Sequence, residues 1–264
     1  MDPIRVVVHG ASGRMGQEVV NALCHEQGIK VVGGADLKAS QDYLTLPDGS
    51  GNVPFSANLE QILTTCQPQV LVDFTIAQAA LPAARIALPH GVHMVIGTTG
   101  LTSENIEEIR QLSMKHKVGV VIAPNFALGA VLMMHLARIA AKYLDYAEII
   151  ELHHNMKIDS PSGTAIATAQ AMAKSRGKPF QRPPVAELPS HSRGEQVEGV
   201  NIHSVRLPGF VAHQEIIMGT TGQTLTIRHD STSRECFMPG VIMAVKEVVK
   251  RQGLVYGLDT LLNL

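Results

Sequence analysis

Apolar residues fall along this chain in two different rhythms, and the change between them divides it. Through roughly the first 125 residues, short continuous apolar runs alternate with stretches of helical spacing. The runs IRVVVHG from Ile4, KVVGGAD ending at Asp36, QVLVDFT from Gln69, HMVIGTT from His93 and VGVVIAP from Val118 read as strands. Between them the spacing predicts helices, among them Met15–Glu26 and Thr102–His116, the second capped by Thr102 or Ser103. Strands that are apolar throughout are buried on both faces. Strand–helix alternation of this kind builds a parallel sheet with helices on each side.

Beyond Phe126 the rhythm changes. The pattern predicts a helix over Gly129–Lys142, a strand in AEIIELHH and a helix over Thr164–Ser175. Residues 177–199 are rich in proline, charge and polar groups, which predicts a loop or an extended arm. Three further runs read as strands: VNIHSVRL from Val200, QEIIMG from Gln214 and TLTIRHD from Thr224. Thr220-Thr221-Gly222 joins the last two as a hairpin. Strands without intervening helices pair antiparallel or in mixed fashion, so a smaller α+β domain on a mixed sheet begins near residue 127. A final helix starts at Pro239, with Val241, Ile242, Val245, Val248 and Val249 on one face.

Composition narrows the function classes. The 264 residues, 45% hydrophobic and 17% charged, suit one large or two modest domains. Lys and Arg number 22 against 23 acidic residues. That balance forecasts neither a nucleic-acid surface nor a polybasic membrane anchor. Cys24, Cys66 and Cys236 are odd in number and widely spaced, which fits a reduced, cytoplasmic setting. The apolar run at Val6–Val8 stops at His9 and Gly10 with no basic region before it, so no signal peptide is expected. Pro124 and Asn125 break the longest apolar segment, Val118–Ala141, and His135 and Arg138 lie inside it. It reads as strand, turn and core helix rather than a membrane span.

Candidate chemistry begins at the first turn. Gly10, Gly13 and Gly16 lie between the first strand and the first helix, around Ala11, Ser12, Arg14 and Met15. Glycine lets the chain turn tightly and lets a phosphate approach the backbone, where helix N–H groups attract a pyrophosphate. Asp36 ends the next strand, where an acid can bind a ribose hydroxyl. The spacing is Gly-x-x-Gly-x-x-Gly, so its placement in the fold carries the dinucleotide reading; the alternative is a purely structural turn. Asp36 favours the free 2′-hydroxyl of NAD, while Lys38 and Arg14 leave NADP open. Two more loops follow strand ends: Gly97-Thr98-Thr99-Gly100, and Ala123-Pro124-Asn125-Phe126, whose Phe126 offers an aromatic face to a nicotinamide.

The stretch ELHHNMKIDSPSGTA, residues 151–165, carries the second constellation. Side chains alternate along a strand, so His153 shares a face with Ile149 and Glu151, and His154 points the other way with Ile150 and Leu152. The two imidazoles therefore have different tasks, and one suits proton donation. Lys157 adds a cation, and Ser162-Gly163-Thr164 opens a helix with Ser162 as its cap. Imidazole, ammonium and helix N-terminus together suit a carboxylate-bearing substrate. The alternatives are a capped helix after a polar loop, or a zinc site. Zinc is disfavoured because no Cys or Glu sits at ligand spacing from the adjacent histidines, so no metal is expected.

The motif Glu151-x-His153-His154-x-x-Lys157-x-Asp159-x-Pro161-Ser162-Gly163-Thr164-Ala165 resembles the signature of the 4-hydroxy-tetrahydrodipicolinate reductase (dihydrodipicolinate reductase) family. The segments GASGRMG, VDFT, VIGTTG, APNFALG, SVRLPG and TSR, and the ending GLDTLLNL, extend the resemblance over nearly the whole chain. It implies a Rossmann-type doubly wound parallel sheet over residues 1–127, rejoined by a C-terminal helix over 236–264, and a substrate-binding and oligomerisation domain over 128–235. It implies reduction of a hydroxylated tetrahydropyridine dicarboxylate by NADH or NADPH, with loss of water, in the diaminopimelate route to lysine. By position, His153 would be the proton donor and Lys157 a second one, while His154, Gly163 and Thr164 would hold the substrate. Gly10 to Met15, Asp36, Gly97, Thr98, Thr99 and Ala123 to Phe126 would hold the cofactor. The resemblance also implies a homotetramer formed through the second sheet. Closure of the two domains would bring the nicotinamide to the substrate ring. The chain departs from some relatives at Leu37 and Ile76, where they carry arginine, and in SVRLPGF; the first two bear on cofactor choice.

Overall fold

The computed structural model describes residues 2–182 and 192–264. Its contacts divide the chain into two compact units, residues 1–128 with 234–264 and residues 129–233.

In chain order the first unit contains β1 (Ile4–His9), α1 (Arg14–Cys24), β2 (Ile29–Ala35), β3 (Tyr43–Thr45), β4 (Asn52–Ser56), α2 (Leu59–Cys66), β5 (Val70–Asp73), α3 (Ala77–Ala87), β6 (His93–Ile96), α4 (Ser103–His116) and β7 (Gly119–Ile122). The second contains α5 (Leu128–Ala140), β8 (Tyr146–His153), α6 (Gly163–Arg176), β9 (Glu195–Val197), β10 (Val200–Arg206), β11 (Ala212–Thr220) and β12 (Gln223–Ser231). The chain then returns to the first unit with α7 (Met238–Val248), β13 (Gly253–Tyr256) and α8 (Leu258–Leu262).

The first unit is an eight-stranded sheet in the order β13-β7-β6-β5-β1-β2-β4-β3, parallel except where β3 pairs antiparallel with β4. Its apolar runs form rows across the sheet. Val7, Leu71, Met94 and Val120 are register partners on four adjacent strands, all buried in one core cluster with Ile62, Ala84 and Ile109 from the covering helices. Each such side chain contributes about 1.5–3 kcal/mol by leaving water. On α7, Val241, Ala244, Val245 and Val248 follow the i, i+3, i+4, i+7 spacing and are fully buried, and the helix packs on β5, β6, β7 and α1. Thr102 caps α4 through a reciprocal pair of bonds with Asn105.

The second unit is a mixed five-stranded sheet, β12-β11-β8-β10-β9, with β8 parallel to β10 and antiparallel to β11. Ile149, Ile202 and Ile216 align across its centre and pack with Met133, Ala137, Ala165, Ala169 and Met172 from α5 and α6. The small side chains at 165 and 169 let α6 lie close to the strands. The hairpin β11–β12 turns through Thr221-Gly222, with Gly222 at φ +76°.

Three expectations change. The C-terminal segment is not one helix: α7 starts at Met238, and Gly253 (φ +85°) begins an edge strand that pairs with β7, followed by the short α8. The short hairpin β3–β4, with Pro54 inside β4, was not predicted; three- and five-residue strands give too little periodicity. Of the loop expected over 177–199, residues 183–191 lie outside the described residues, and Glu195–Val197 pairs with β10 as a strand.

Candidate active site

Open parallel sheets bind ligands where the strand order reverses, beyond the strands' carboxyl ends. Here the reversal lies between β1 and β5, because the chain proceeds from β1 outward to β2 and β4 but from β5 outward to β6, β7 and β13. The glycine turn follows β1 directly. Gly10 adopts φ +83°, and a Cβ there would meet the Phe74 carbonyl oxygen at 2.9 Å. A Cβ on Gly16 would lie 2.0 Å from the Gly10 oxygen, so only glycine lets α1 run back across the turn. Gly13 is the N-cap and brings no side-chain cap, and the amides of Arg14 and Met15 have no protein acceptor among the described residues. Asp36 reaches the same turn: its carboxylate accepts the Ser12 N–H at 3.0 Å and the Lys38 N–H at 2.9 Å. Unserved helix amides beside a turn that tolerates no Cβ fit a pyrophosphate, and Asp36 keeps lone pairs for a ribose hydroxyl.

The other two loops of this unit differ in what they offer. A Cβ on Gly97 would lie 2.2 Å from the Phe74 ring, so that glycine makes room for the aromatic wall. The wall continues to Phe126, whose ring centre is 5.7 Å from that of Phe74 at 51°. Phe126 is itself buried, so the exposed aromatic face expected of it is absent, and the Ala123–Phe126 loop offers backbone, Pro124 and the Asn125 amide. The Asn125 side-chain oxygen already accepts the Ala127 N–H at 2.9 Å. Thr99 is exposed, whereas Thr98 is buried with its hydroxyl donating to Asp73 at 2.7 Å.

In the second unit β8 ends at His153, so the alternation predicted for the two histidines holds up to that point. His153 is half-buried beside Glu151, and His154 is exposed in the turn that follows. Glu151 was quoted in the motif but given no task by the sequence reading, and it organises the site. Its fully buried carboxylate receives the His153 Nδ1–H at 2.5 Å, both terminal nitrogens of Arg206 at 2.8 and 2.9 Å, and the Ser162 N–H at 3.2 Å. Burial works to raise this carboxyl. The bonds from His153, Arg206 and Ser204 outweigh it and hold the group down at about 2. Glu151 is therefore an anion at neutral pH and can only accept. Nδ1 of His153 must carry hydrogen, which leaves Nε2 as the atom that gains or gives a proton.

The bond from Ser162 also ties the start of α6 to this carboxylate. Ser162 caps the helix by accepting the Ala165 N–H, and the amides of Gly163 and Thr164 have no protein acceptor among the described residues. A Cβ on Gly163 would meet nothing within 4 Å, so that end of the helix faces open space. Lys157 forms an ion pair with Asp159, 2.7 Å to each carboxylate oxygen, and the hydrogen bond from Lys157 holds the Asp159 carboxyl below its usual range. Arg206 was not among the predicted site residues. It lies 55 positions from Glu151 and meets it because β10 pairs with β8. Among the described residues no group of three or more His, Cys, Asp or Glu side chains is gathered for a metal.

The doubly wound sheet and its glycine turn fit a dinucleotide-binding unit, and the second unit carries a carboxylate-anchored imidazole. The narrower placement comes from similarity to known proteins. Family models described as dihydrodipicolinate reductase, N-terminus and C-terminus, match residues 4–126 and 129–262. The chain is 56% identical over 264 residues to the 4-hydroxy-tetrahydrodipicolinate reductase of Dehalococcoides mccartyi, covering 100% of both chains. It is 49% identical over 262 residues to that of Moorella thermoacetica, covering 98% of each. The dipicolinate-bound dihydrodipicolinate reductase of Paenisporosarcina sp. TG-14 superposes with a TM-score of 0.87 at 41% identity, over 98% of this chain and 99% of that one. The chain belongs to the dihydrodipicolinate reductase family.

Proposed function

We propose that this chain reduces 4-hydroxy-tetrahydrodipicolinate to tetrahydrodipicolinate with NADH or NADPH, a step of lysine biosynthesis by the diaminopimelate route. Overall the reaction consumes one hydride and one proton and releases one water. The observation that carries the reading is the Glu151 cluster, which holds one imidazole nitrogen inward beside a helix start whose amides are open. The relatives' names and the dipicolinate bound to the Paenisporosarcina protein support the same substrate class.

The bound nucleotide supplies the hydride. Gly10 to Met15 and the α1 amides hold its pyrophosphate, Asp36 a ribose, and Gly97 to Thr99 with Ala123 to Phe126 the nicotinamide end. His153 holds the proton at Nε2 and delivers it to the ring atom made electron-rich by reduction. Lys157, His154 and the amides of Gly163 and Thr164 bind the substrate carboxylates, and Lys157 is a second proton donor. Asp36 is an anion beside the ribose site, while Arg14 and Lys38 are exposed near it, so NADH is used at least as well as NADPH. Partly exposed Ile150, Leu152, Val205 and Ile217 on the second sheet support assembly into a homotetramer through that sheet. No described helix is long and apolar enough to cross a membrane, and the proposed setting is the cytoplasm.

The test supplies purified protein with freshly generated 4-hydroxy-tetrahydrodipicolinate and follows nicotinamide absorbance. Oxidation of NADH at a rate at least comparable to NADPH is expected. Oxidation of neither would refute the function, and a strong NADPH preference would refute the cofactor assignment.

A further inference from the structure

His9 and Asp73 are the last residues of β1 and β5 and are register partners across the point where the strand order reverses. Their backbones are already tied, since the Phe74 N–H donates to the His9 carbonyl at 3.1 Å and the Gly97 N–H to the Asp73 carbonyl at 2.9 Å. Beyond this, the wholly buried Asp73 carboxylate collects four more donors. Oδ2 accepts from His9 Nδ1 at 2.6 Å; Oδ1 accepts from the Thr98 hydroxyl at 2.7 Å, the Thr75 hydroxyl at 2.9 Å and the Thr75 N–H at 3.2 Å. Among the described residues no Lys or Arg bonds to it.

A buried carboxylate served by one imidazole, two hydroxyls and an amide is a costly way to finish a strand. An apolar residue closes such an end without that penalty, so the location of the donors matters. Thr98 lies in the loop assigned to the nicotinamide end, and His9 directly precedes Gly10 of the phosphate turn. We propose that Asp73 is a positioning residue for the nicotinamide nucleotide, acting by fixing the polarity of Thr98 and His9. This rests on the reading that the first unit binds that nucleotide.

An ionised carboxylate only accepts, so the Thr98 hydroxyl hydrogen and the His9 Nδ1–H must point inward. The Thr98 oxygen then has only lone pairs left to offer, and neutral His9 offers a lone pair at Nε2. The strand ends thus present acceptors, a polarity that selects a ligand with N–H donors. The carboxamide –NH2 of nicotinamide is such a group.

A nucleotide that lacks the donor provides the test: reduced 3-acetylpyridine adenine dinucleotide, which carries a methyl ketone in place of the carboxamide. The quantity read is the kcat/KM ratio of NADH to this analogue in wild type, Asp73→Asn and Thr98→Val, which cancels the intrinsic reactivity of the two hydride donors. Losing one hydrogen bond is worth roughly tenfold. The ratio should therefore fall about tenfold in both variants, with the KM for the dicarboxylate unchanged. In Asp73→Asn the new amide turns its own hydrogens toward Thr98, and the hydroxyl is free to point outward. Thr98→Val is isosteric and carries the test if Asp73→Asn fails to fold. An unchanged ratio in a folded variant overturns the proposal, because a merely structural Asp73 would weaken both nucleotides alike. Failure of the wild type to use either NADH or NADPH would instead sink the nucleotide reading beneath it.

Discussion

The two units each contain a histidine anchored through Nδ1 to a fully buried carboxylate. His9–Asp73 is 2.6 Å with the imidazole 13% exposed, and His153–Glu151 is 2.5 Å with the imidazole 14% exposed. What surrounds the carboxylates differs. Glu151 is clamped by the Arg206 guanidinium, whereas the other donors to Asp73 are threonine hydroxyls and a backbone amide. A cation close to the carboxylate keeps Glu151 charged while the imidazole beside it exchanges protons, which suits a proton donor. Neutral donors instead pass the carboxylate's polarity outward to other side chains, which suits positioning. On the proposed reading, one side-chain pair thus takes two roles according to its third partner.

The comparison makes different demands on the two sides. Removing the imidazole of the second unit should have the greatest effect. His153→Gln is expected to lower turnover about 10²–10⁴-fold while leaving NADH affinity, read by fluorescence titration, within about twofold. A turnover close to wild type would remove His153 from the proton-donor role.

Glu151→Gln leaves the Arg206 guanidinium uncompensated, and breaking a buried pair costs about 3–5 kcal/mol. The acid limb of stability has the same origin. The folded-state pKa of Glu151, about 2, lies below its ordinary value of 4.5, so its contribution is complete above pH 4.5 and lost as pH falls through 2. That contribution is on the order of 3 kcal/mol. Urea unfolding between pH 7 and 3 should show the larger part of this loss, about 2 kcal/mol, in wild type and not in Glu151→Gln. Parallel curves for the two proteins would contradict the ion cluster.

Lys157→Ala should raise the KM for the dicarboxylate and lower turnover, each by roughly tenfold, the scale of one charge-assisted hydrogen bond. Unchanged kinetics would mean that its ion pair with Asp159 is the whole of its role. Ser162→Ala removes only a helix cap and should cost about 1 kcal/mol in chemical denaturation. A loss several times larger would show that the start of α6 depends on Ser162 for more than its cap.

How much of this could be read in the sequence depended on distance along the chain. Continuous apolar runs marked β1, β2, β5, β6 and β7, and the alternation in β8 separated His153 from His154 because both signals are local. Ser162 was legible as a cap for the same reason. The short strands β3, β4 and β13 were not: β5, β6 and β7 are no longer than β4 or β13, but those are apolar and almost wholly buried, whereas these three are partly exposed. Neither carboxylate cluster was legible. Arg206 reaches Glu151 only through the parallel pairing of β10 with β8, and the donors to Asp73 come from the ends of three strands. The burial of Phe126 was not legible because its ring partner Phe74 is 52 positions away in the sequence.

The proposed reaction joins hydride transfer to one substrate with a proton from one imidazole. A coupled assay with 4-hydroxy-tetrahydrodipicolinate, run side by side on wild type and His153→Gln, measures both. The prediction is steady oxidation of NADH by wild type and a rate reduced at least about 100-fold in the variant, with NADH still bound. No oxidation of NADH or NADPH by wild type, or equal rates in the two proteins, would contradict it.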